Sequence, residues 1–366
     1  MNDGRRVVEL RNLLVLTQKQ LSSVIGIAQS NLSDLERGRV ELTPAAIHRI
    51  CSATATPTSF FEYSTPSYSA DDINFPKNSR VVSAKQRDFV IQAFTEIERI
   101  STVLAEAPVR LKRVAIPVAQ HSDIFSEHDL ELLAGDIRKA YRLDSDAPVR
   151  NVTRMMERAG VAVASMSAPF GNDTLLEGDC GMSHWSSRSP RASVGFLTGM
   201  AGDRQRFTLA HEFAHIVLHS RRTVTEPKQR QREADYLAAA LLLPRPYAQE
   251  EIAESLTLHG YLRIKAEFGM SLHAIITRAQ RLGLITWDRQ RSLMVQLSTR
   301  GWRNNEPVDV DRESPQLLHT ELVALHGAHP YVAASSALGV SATLLHSWIP
   351  EPNNDSGPRD SAATPA

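Results

Sequence analysis

Apolar residues recur every three or four positions along most of the chain, and this spacing predicts helices. The stretch SAKQRDFVIQAFTEIERISTVL predicts one connecting helix, and DLELLAGDIRKAY and VRNVTRMMERAG predict two more. Two short apolar runs, VAVASM and ASVGFL, are typical of strands instead. The pattern therefore predicts an α+β protein that is mainly helical, with one small sheet in its middle domain.

Changes in composition divide the chain into five predicted segments. The first is a compact unit of five helices that ends in a Pro/Ser/Thr-rich stretch, and the last is polar enough to predict disorder. The segments are residues 1–65, the five-helix unit; 66–128, a linker with a helix; 129–246, the domain with the sheet; 247–350, a helical region; and 351–366, a tail.

Composition excludes some partners and leaves others open. The 366 residues include 41 Lys and Arg against 41 Asp and Glu, so any nucleic-acid surface must be local. The amino terminus has no apolar core of a signal peptide, and the longest apolar run, Leu237–Leu243, is too short for a membrane span. The two cysteines, Cys51 and Cys180, suit a reducing cytoplasm and are expected to be small buried residues.

The first segment contains two short helical patterns that are separated by Gly26. Thr17 is suited to cap the first helix, and the glycine permits the tight turn between the two. The second helix, from Ala28 to about Glu36, buries two leucines and presents short polar side chains on its other face. Such side chains are suited to reading base edges in the major groove.

Seven residues of this segment are candidate DNA contacts. Gln18 begins the preceding helix and is expected to hold a phosphate, and Arg37 and Arg39 are expected to contact the DNA backbone. The residues expected to face the bases are Gln29, Ser30, Asn31 and Ser33. The alternative is a plain helical packing unit, which the nearly balanced charge of residues 1–65, seven basic against six acidic, supports.

The combination TQxxL, Gly, QSxLSxLExG in one register resembles the Cro/CI-type (XRE) helix-turn-helix over about residues 6–62. This resemblance implies a transcription regulator that binds double-stranded operator DNA, and such domains usually read two half-sites as a homodimer. The chain departs from the pattern at Asp34, an acid on a helix that should approach phosphates.

The stretch RFTLAHEFAHIVLHS predicts a helix with a metal-binding face. His211 and His215 are four residues apart, so one face of the helix presents both imidazoles, and Glu212 can reach a water on a shared ion. A catalytic zinc site needs a third protein ligand. Glu233, eighteen residues after His215, begins a second helix and is the candidate, with Asp235 as the fallback.

Residues 129–246 resemble the ImmA/IrrE metallopeptidase family through GDCGMSHW, RQRFTLAHEFAHIVLHS and QREADYLAAALLLP. The resemblance implies a Zn²⁺-dependent peptidase of the gluzincin type, with His211, His215 and Glu233 as ligands and Glu212 as the base. Members of the family often act on helix-turn-helix repressors. The alternative from the residues alone is a core helix with satisfied histidines and a salt-bridged Glu233.

Four further residues lie near these motifs in the sequence. His219 lies on the ligand face beyond reach of the ion and is expected to support the ligands, to face the substrate, or to be a plain surface residue. His184 and Trp185 are candidates for lining a substrate cleft, and Arg206 is expected to form a structural ion pair.

Three functions remain open on the sequence. The first is a DNA-binding regulator with an active peptidase that cleaves a repressor, either itself or a partner. The second is a transcription factor whose zinc fold is a silent sensor or dimer scaffold. The third is the antitoxin-like component of a toxin–antitoxin pair. The sequence of residues 247–350 does not decide among a dimer contact, a sensor and further DNA contact.

Overall fold

The computed structural model describes residues 4–65, 83–109, 113–120, 125–168, 181–185, 190–222, 226–303 and 305–352. The predicted disordered tail lies almost entirely outside these residues, as do Cys180 and parts of the predicted linker, among them residues 66–82. Within them the fold is the predicted one, mainly helical with one small sheet. None of the described helices is both long enough and apolar enough to cross a membrane.

The amino-terminal head consists of four α-helices and a short 3-10 helix as its fifth helical segment. Its helices are α1 (Arg5–Leu13), α2 (Gln18–Ile25), α3 (Gln29–Glu36), α4 (Pro44–Thr54) and the 3-10 helix Thr58–Phe61. Thr17 caps α2 in a capping box with Gln20, as its sequence predicts. Gly26 ends α2 at φ 69°, a left-handed conformation that glycine adopts without strain.

Helix α5 (Ala84–Leu104) joins the head to the sheet. Phe89, Phe94 and Ile97 are fully or almost fully buried in the same core as the head. A buried ion network crosses the junction, where Arg6 Nη1 lies 2.6 Å from Glu9 Oε2 and 2.7 Å from Glu96 Oε1. The head and the sheet therefore share one core, because both pack on α5.

The sheet has three strands among the described residues, β1 (Ala162–Met166), β2 (Gly181–His184) and β3 (Ser193–Leu197). Their order is β1-β3-β2, with β1 parallel and β2 antiparallel to β3. Successive side chains alternate between two apolar cores: Val163 and Val194 face one, Ala164 and Met182 the other.

Four helices lie on the side of the sheet opposite α5. They are α6 (Glu127–Ala140), α7 (Val152–Arg158), α8 (Gly202–His219) and α9 (Pro227–Leu242). Helix α8 packs directly on β2 and β3, and α9 packs along α8. The histidine motif therefore lies on a helix that is enclosed between the sheet and a second helix.

The carboxy-terminal helices divide between the two cores. Helices α10 (Arg245–Glu251), α11 (Leu258–Phe268), α12 (Leu272–Arg281) and α13 (Trp287–Thr299) extend the core of α8 and α9. Helices α14 (Leu317–His326), α15 (Pro330–Leu338) and α16 (Ala342–Trp348) join the core of the head and α5. The last turn of α15 is bound by the head, because Ser59 donates to the carbonyl of Ser336 at 2.6 Å and Tyr63 donates to that of Ala337.

Candidate metal centre and nucleic-acid interface

Helix α8 carries the predicted motif in a nearly dry environment. Glu212 and His215 are each 3% exposed, and the His211 side chain is 15% exposed. The imidazoles of His211 and His215 meet edge to face, with their Nε2 atoms 3.0 Å apart. Two nitrogen ligands on one tetrahedral zinc ion lie roughly 3.3 Å apart, so the spacing of this pair suits a shared ion.

Hydrogen bonds fix which ring nitrogens carry protons. His219 Nε2 lies 3.0 Å from Glu233 Oε2 and must donate, because a carboxylate only accepts. Its Nδ1 then accepts from His215 Nδ1 at 2.9 Å, which leaves a lone pair on His215 Nε2. His211 Nδ1 likewise donates to Asp235 Oδ1 at 2.9 Å, so a neutral His211 also presents a lone pair at Nε2. Without a metal ion, His211 Nε2 carries a proton, because Gln231 Oε1, 3.0 Å away, only accepts. A metal ion that bound both Nε2 atoms would displace this proton.

The predicted third ligand, Glu233, is engaged elsewhere. Its carboxylate accepts from Arg222 at 2.9 Å, from Gln229 at 3.2 Å and from the Phe125 amide at 3.4 Å, besides the bond from His219. Within the described ranges, no group of three or more His, Cys, Asp or Glu residues is arranged to hold a metal ion. The histidine pair thus fits zinc, whereas Glu233 would have to exchange a partner to join it.

The side chain of Gln231 also lies beside the histidine pair. Its Oε1 is 3.0 Å from His211 Nε2, and its side chain also bonds His215. The fallback ligand Asp235 instead binds the far nitrogen of His211. A carboxylate in that position orients the ring and raises its basicity, as at many metal-bound histidines.

Glu212 is held against strand β2. Its Oε2 accepts from Ser183 Oγ at 2.5 Å, and both side chains are buried. A Cβ atom on Gly181 would lie 2.8 Å from Glu212 Cγ, so the close approach of strand and helix requires glycine there. Burial raises the pKa of Glu212, and the neighbouring His211 and the Ser183 bond oppose that rise only in part.

The three histidines differ in their affinity for protons. Burial alone would lower the pKa of His211, but Asp235 and Glu212 outweigh it and raise that pKa. Burial and the adjacent rings hold the pKa of His215 well below its usual value. Burial also lowers the pKa of His219 to about 4, so this ring is neutral at pH 7. The structure therefore favours neutral imidazoles at His215 and His219, the form that binds metal.

The expectations for His219, His184 and Arg206 have different outcomes. His219 is buried between His215 and Glu233, so it is a supporting group rather than a surface residue. His184 turns to the other face of the sheet, where its Nδ1 lies 2.7 Å from Glu98 Oε1 on α5. Arg206 forms the predicted ion pair, with Glu313, and is 5% exposed.

Trp185 is partly buried under the Arg221 guanidinium, which lies 5.3 Å from its ring centroid. Sequence reasoning missed three residues around the motif, namely Ser183, Gln231 and Arg222. Only Ser183 had a usable signal, because alternation along GMSH puts it on the opposite face from His184. The positions of Gln231 and Arg222 depend on how α9 packs against α8.

The candidate DNA-reading face of α3 is open. Gln29, Ser30 and Asn31 are exposed, and Ser33 is half-buried. The buried side of the helix is formed by the predicted leucines, Leu32 and Leu35. The face is therefore exposed, and its contact with base edges stays a prediction.

The charged residues around α3 are partly paired. Arg37 and Arg39 are exposed, and Arg39 Nη1 lies 3.4 Å from Asp34 Oδ1. Gln18 donates to Glu36 Oε2 at 2.6 Å, so its side chain is engaged within the head. Asp34 therefore meets an arginine, which reduces the repulsion that an isolated acid would exert on phosphate.

Two stretches of the chain match known families. Residues 7–61, which span the head from α1 to the 3-10 helix, match the helix-turn-helix family. Residues 198–280, which include the histidine motif and Glu233, match the IrrE N-terminal-like domain, a peptidase family. These matches confirm the predicted fusion, and the second extends beyond residue 246 into α11 and α12. No curated protein matches the chain.

Proposed function

From a helix-turn-helix segment joined to an IrrE N-terminal-like domain, we propose that this chain is a DNA-binding transcription regulator with a zinc-dependent peptidase that cleaves a repressor-type protein. The observation that carries the proposal is the pair of imidazoles on α8, whose Nε2 atoms lie 3.0 Å apart beside a buried glutamate. The exposed polar face of α3 supports the DNA-binding part. A cytoplasmic location and assembly as a homodimer on two half-sites are parts of the same proposal.

In this proposal His211, His215 and Glu233 hold Zn²⁺. Bound zinc supplies a water of lowered pKa and polarises the scissile carbonyl. His219 and Asp235 keep the two imidazoles in the tautomers that leave Nε2 free. Glu233 joins the site by exchanging one of its present donors, and His219 and Arg222 are its closest ones, at 3.0 and 2.9 Å.

Glu212 is the proposed general base. It lies one residue from a ligand on a rigid helix, and its buried carboxyl has a raised pKa, which strengthens it as a proton acceptor. Ser183 donates to one carboxylate oxygen, so the other oxygen remains to accept a proton from the attacking water. The same carboxyl can then deliver the proton to the leaving amine.

The arrangement of the two cores favours a separate molecule as substrate. The head packs with α5 on one face of the sheet, whereas α8 lies on the opposite face. An attack on the chain's own α3 would therefore require the head to leave its core. Binding of the head to an operator would raise the local concentration of a repressor bound nearby.

A cleavage assay with a matched variant tests this proposal. Zinc-loaded protein and its Glu212→Gln variant are incubated with purified Cro/CI-type repressors and with fluorescently labelled casein as a general protease substrate. We expect cleavage by the wild type alone, with equal zinc content and equal DNA binding in both proteins. Cleavage by the variant as well, or by neither protein, would refute the peptidase.

A second candidate function is the silent scaffold, and the engagement of Glu233 favours it. That carboxylate has four donors among the described residues and is not joined to the histidine pair. If the scaffold is correct, Glu212→Gln leaves the regulatory effect unchanged, whereas His211→Ala disturbs it. If the peptidase is correct, Glu212→Gln abolishes the effect and operator binding persists.

A further inference from the structure

Ser183, on strand β2, holds the carboxylate of the proposed base. We propose that Ser183 is a positioning residue that fixes the orientation of Glu212 for proton transfer, an inference that rests on the proposed function. Ser183 lies outside residues 198–280, which match the peptidase family, so that match does not assign it a role. The role follows from the contact itself, from the strand that carries it and from the burial of both partners.

The contact is short and shielded from water. Ser183 Oγ donates to Glu212 Oε2 at 2.5 Å, and the two residues are 5% and 3% exposed. A hydrogen bond to a carboxylate is stronger than one between neutral groups, and a dry environment strengthens it further. The bond therefore selects one rotation of the carboxylate about its last side-chain torsion, which is otherwise a soft degree of freedom.

Strand β2 is held in place from both of its faces. On the α8 side, Gly181 lets the strand approach until a Cβ would lie 2.7 Å from Thr208 Cγ2. On the other side of the strand, Nδ1 of His184, the residue after Ser183, lies 2.7 Å from Glu98 Oε1 on α5. The antiparallel register also aligns Ser183 with Val194 of β3. Ser183 is consequently presented to Glu212 by a rigid element and not by a loop.

Removal of the hydroxyl should affect the chemical step more than substrate binding. Ser183 is buried and its hydroxyl contacts the base, so its loss should leave KM nearly unchanged. A freely rotating carboxylate is in the productive orientation for only part of the time, and misplacement of a catalytic group costs about 10- to 100-fold in rate. We therefore expect a fall of about that size in kcat for Ser183→Ala.

The kinetic test uses the full-length, zinc-loaded protein with labelled casein and with a repressor that the wild type cleaves. Ser183→Thr retains a hydroxyl on the same Cβ and should restore most of the lost kcat. The matched control is Ser165→Ala on β1, because Ser165 is also 5% exposed but donates to the Ser347 carbonyl at 2.7 Å, away from α8. This control should retain wild-type kcat and KM.

A second measurement needs no catalysis. Thermal unfolding of the chelator-treated protein is followed for Ser183→Ala, Glu212→Ala and the double variant. If the two side chains interact, the double variant loses less in Tm than the sum of the single losses, by about 2 °C or more. The pair Ser165→Ala and Glu212→Ala should instead be additive, since those residues share no partner.

The outcomes separate this inference from the proposed function. Two results overturn the positioning role even if the wild type is an active peptidase. One is additive Tm losses for the Ser183 and Glu212 variants, and the other is a kcat for Ser183→Ala equal to that of the Ser165→Ala control. A wild type that hydrolyses nothing when loaded with zinc overturns the proposed function, and with it the role of Ser183 in proton transfer. In that case a non-additive Tm cycle still identifies a structural bond.

Discussion

Arg206 is the side chain on α8 whose removal should destabilise the fold most clearly. It is 5% exposed and forms an ion pair with Glu313. Its guanidinium also donates to the carbonyls of Val149 at 2.5 Å, Phe268 at 3.2 Å and Gly269 at 3.2 Å. One residue thus joins α8 to the loop before α7 and to the turn after α11.

Arg206→Ala would leave a buried carboxylate and several buried carbonyls without a donor. Removal of one partner of a buried ion pair costs about 3–5 kcal/mol. We expect a cost near the lower end of this range, because Glu313 still accepts from the amides of Val152 at 3.0 Å and Thr153 at 2.7 Å. A loss of about 3 kcal/mol corresponds to a fall of about 6–12 °C in Tm for a cooperative unit of 150–250 residues.

The assay is thermal unfolding followed by circular dichroism, with Arg204→Ala as the matched control. Arg204 lies on the same helix but is exposed, so its loss should change the free energy of unfolding by no more than about 0.5 kcal/mol. A Tm for Arg206→Ala within 2 °C or so of this control would refute the assignment of a buried, stabilising ion pair.

Three further predictions concern DNA, catalysis and pH. Asn31→Ala should weaken operator binding by about 10-fold or more, with little effect on the binding of random DNA. Arg37→Ala should weaken the binding of operator and random DNA alike, and should reduce the slope of log affinity against log salt concentration by about 1. Electrophoretic mobility shifts at several salt concentrations measure both effects. Glu212→Gln should bind zinc normally yet cleave no repressor, and retained cleavage would contradict its role as base. Burial lowers the pKa of His319, so the unfolded chain binds a proton at this residue more readily than the folded chain does. The free energy of unfolding should therefore fall as the pH drops below about 6.5. Urea titrations of His319→Gln should show a smaller fall over the same pH range.

The elements that depend on local pattern were predictable. Period-2 and period-3.6 patterns predict β1, β3, α5 and the motif helix, because each buries one face against a neighbour. Spacing also predicts the approach of His211 to His215, since it depends only on the geometry of a single helix. Thr17 caps the start of α2 and Gly26 ends it, as their residue types predict.

The remaining features depend on packing between elements that are distant in sequence. Glu233 was predicted to reach the histidine pair, but the rotation of α9 against α8 brings it to His219 and Arg222. Gln18 was predicted to hold phosphate, but its amide reaches Glu36 across the head. The division of residues 247–350 between two cores likewise has no local signal.

The central claim is that one zinc ion is bound by two imidazoles of α8 and the carboxylate of Glu233. Its most direct test is metal analysis of purified protein by mass spectrometry, beside His211→Ala and Glu233→Ala variants, with X-ray absorption at the zinc edge to identify the ligands. The account predicts one zinc per chain, two nitrogen ligands at about 2 Å, and loss of the metal in both variants. Wild-type protein without zinc, or a Glu233→Ala variant that retains it with unchanged ligands, would contradict the account.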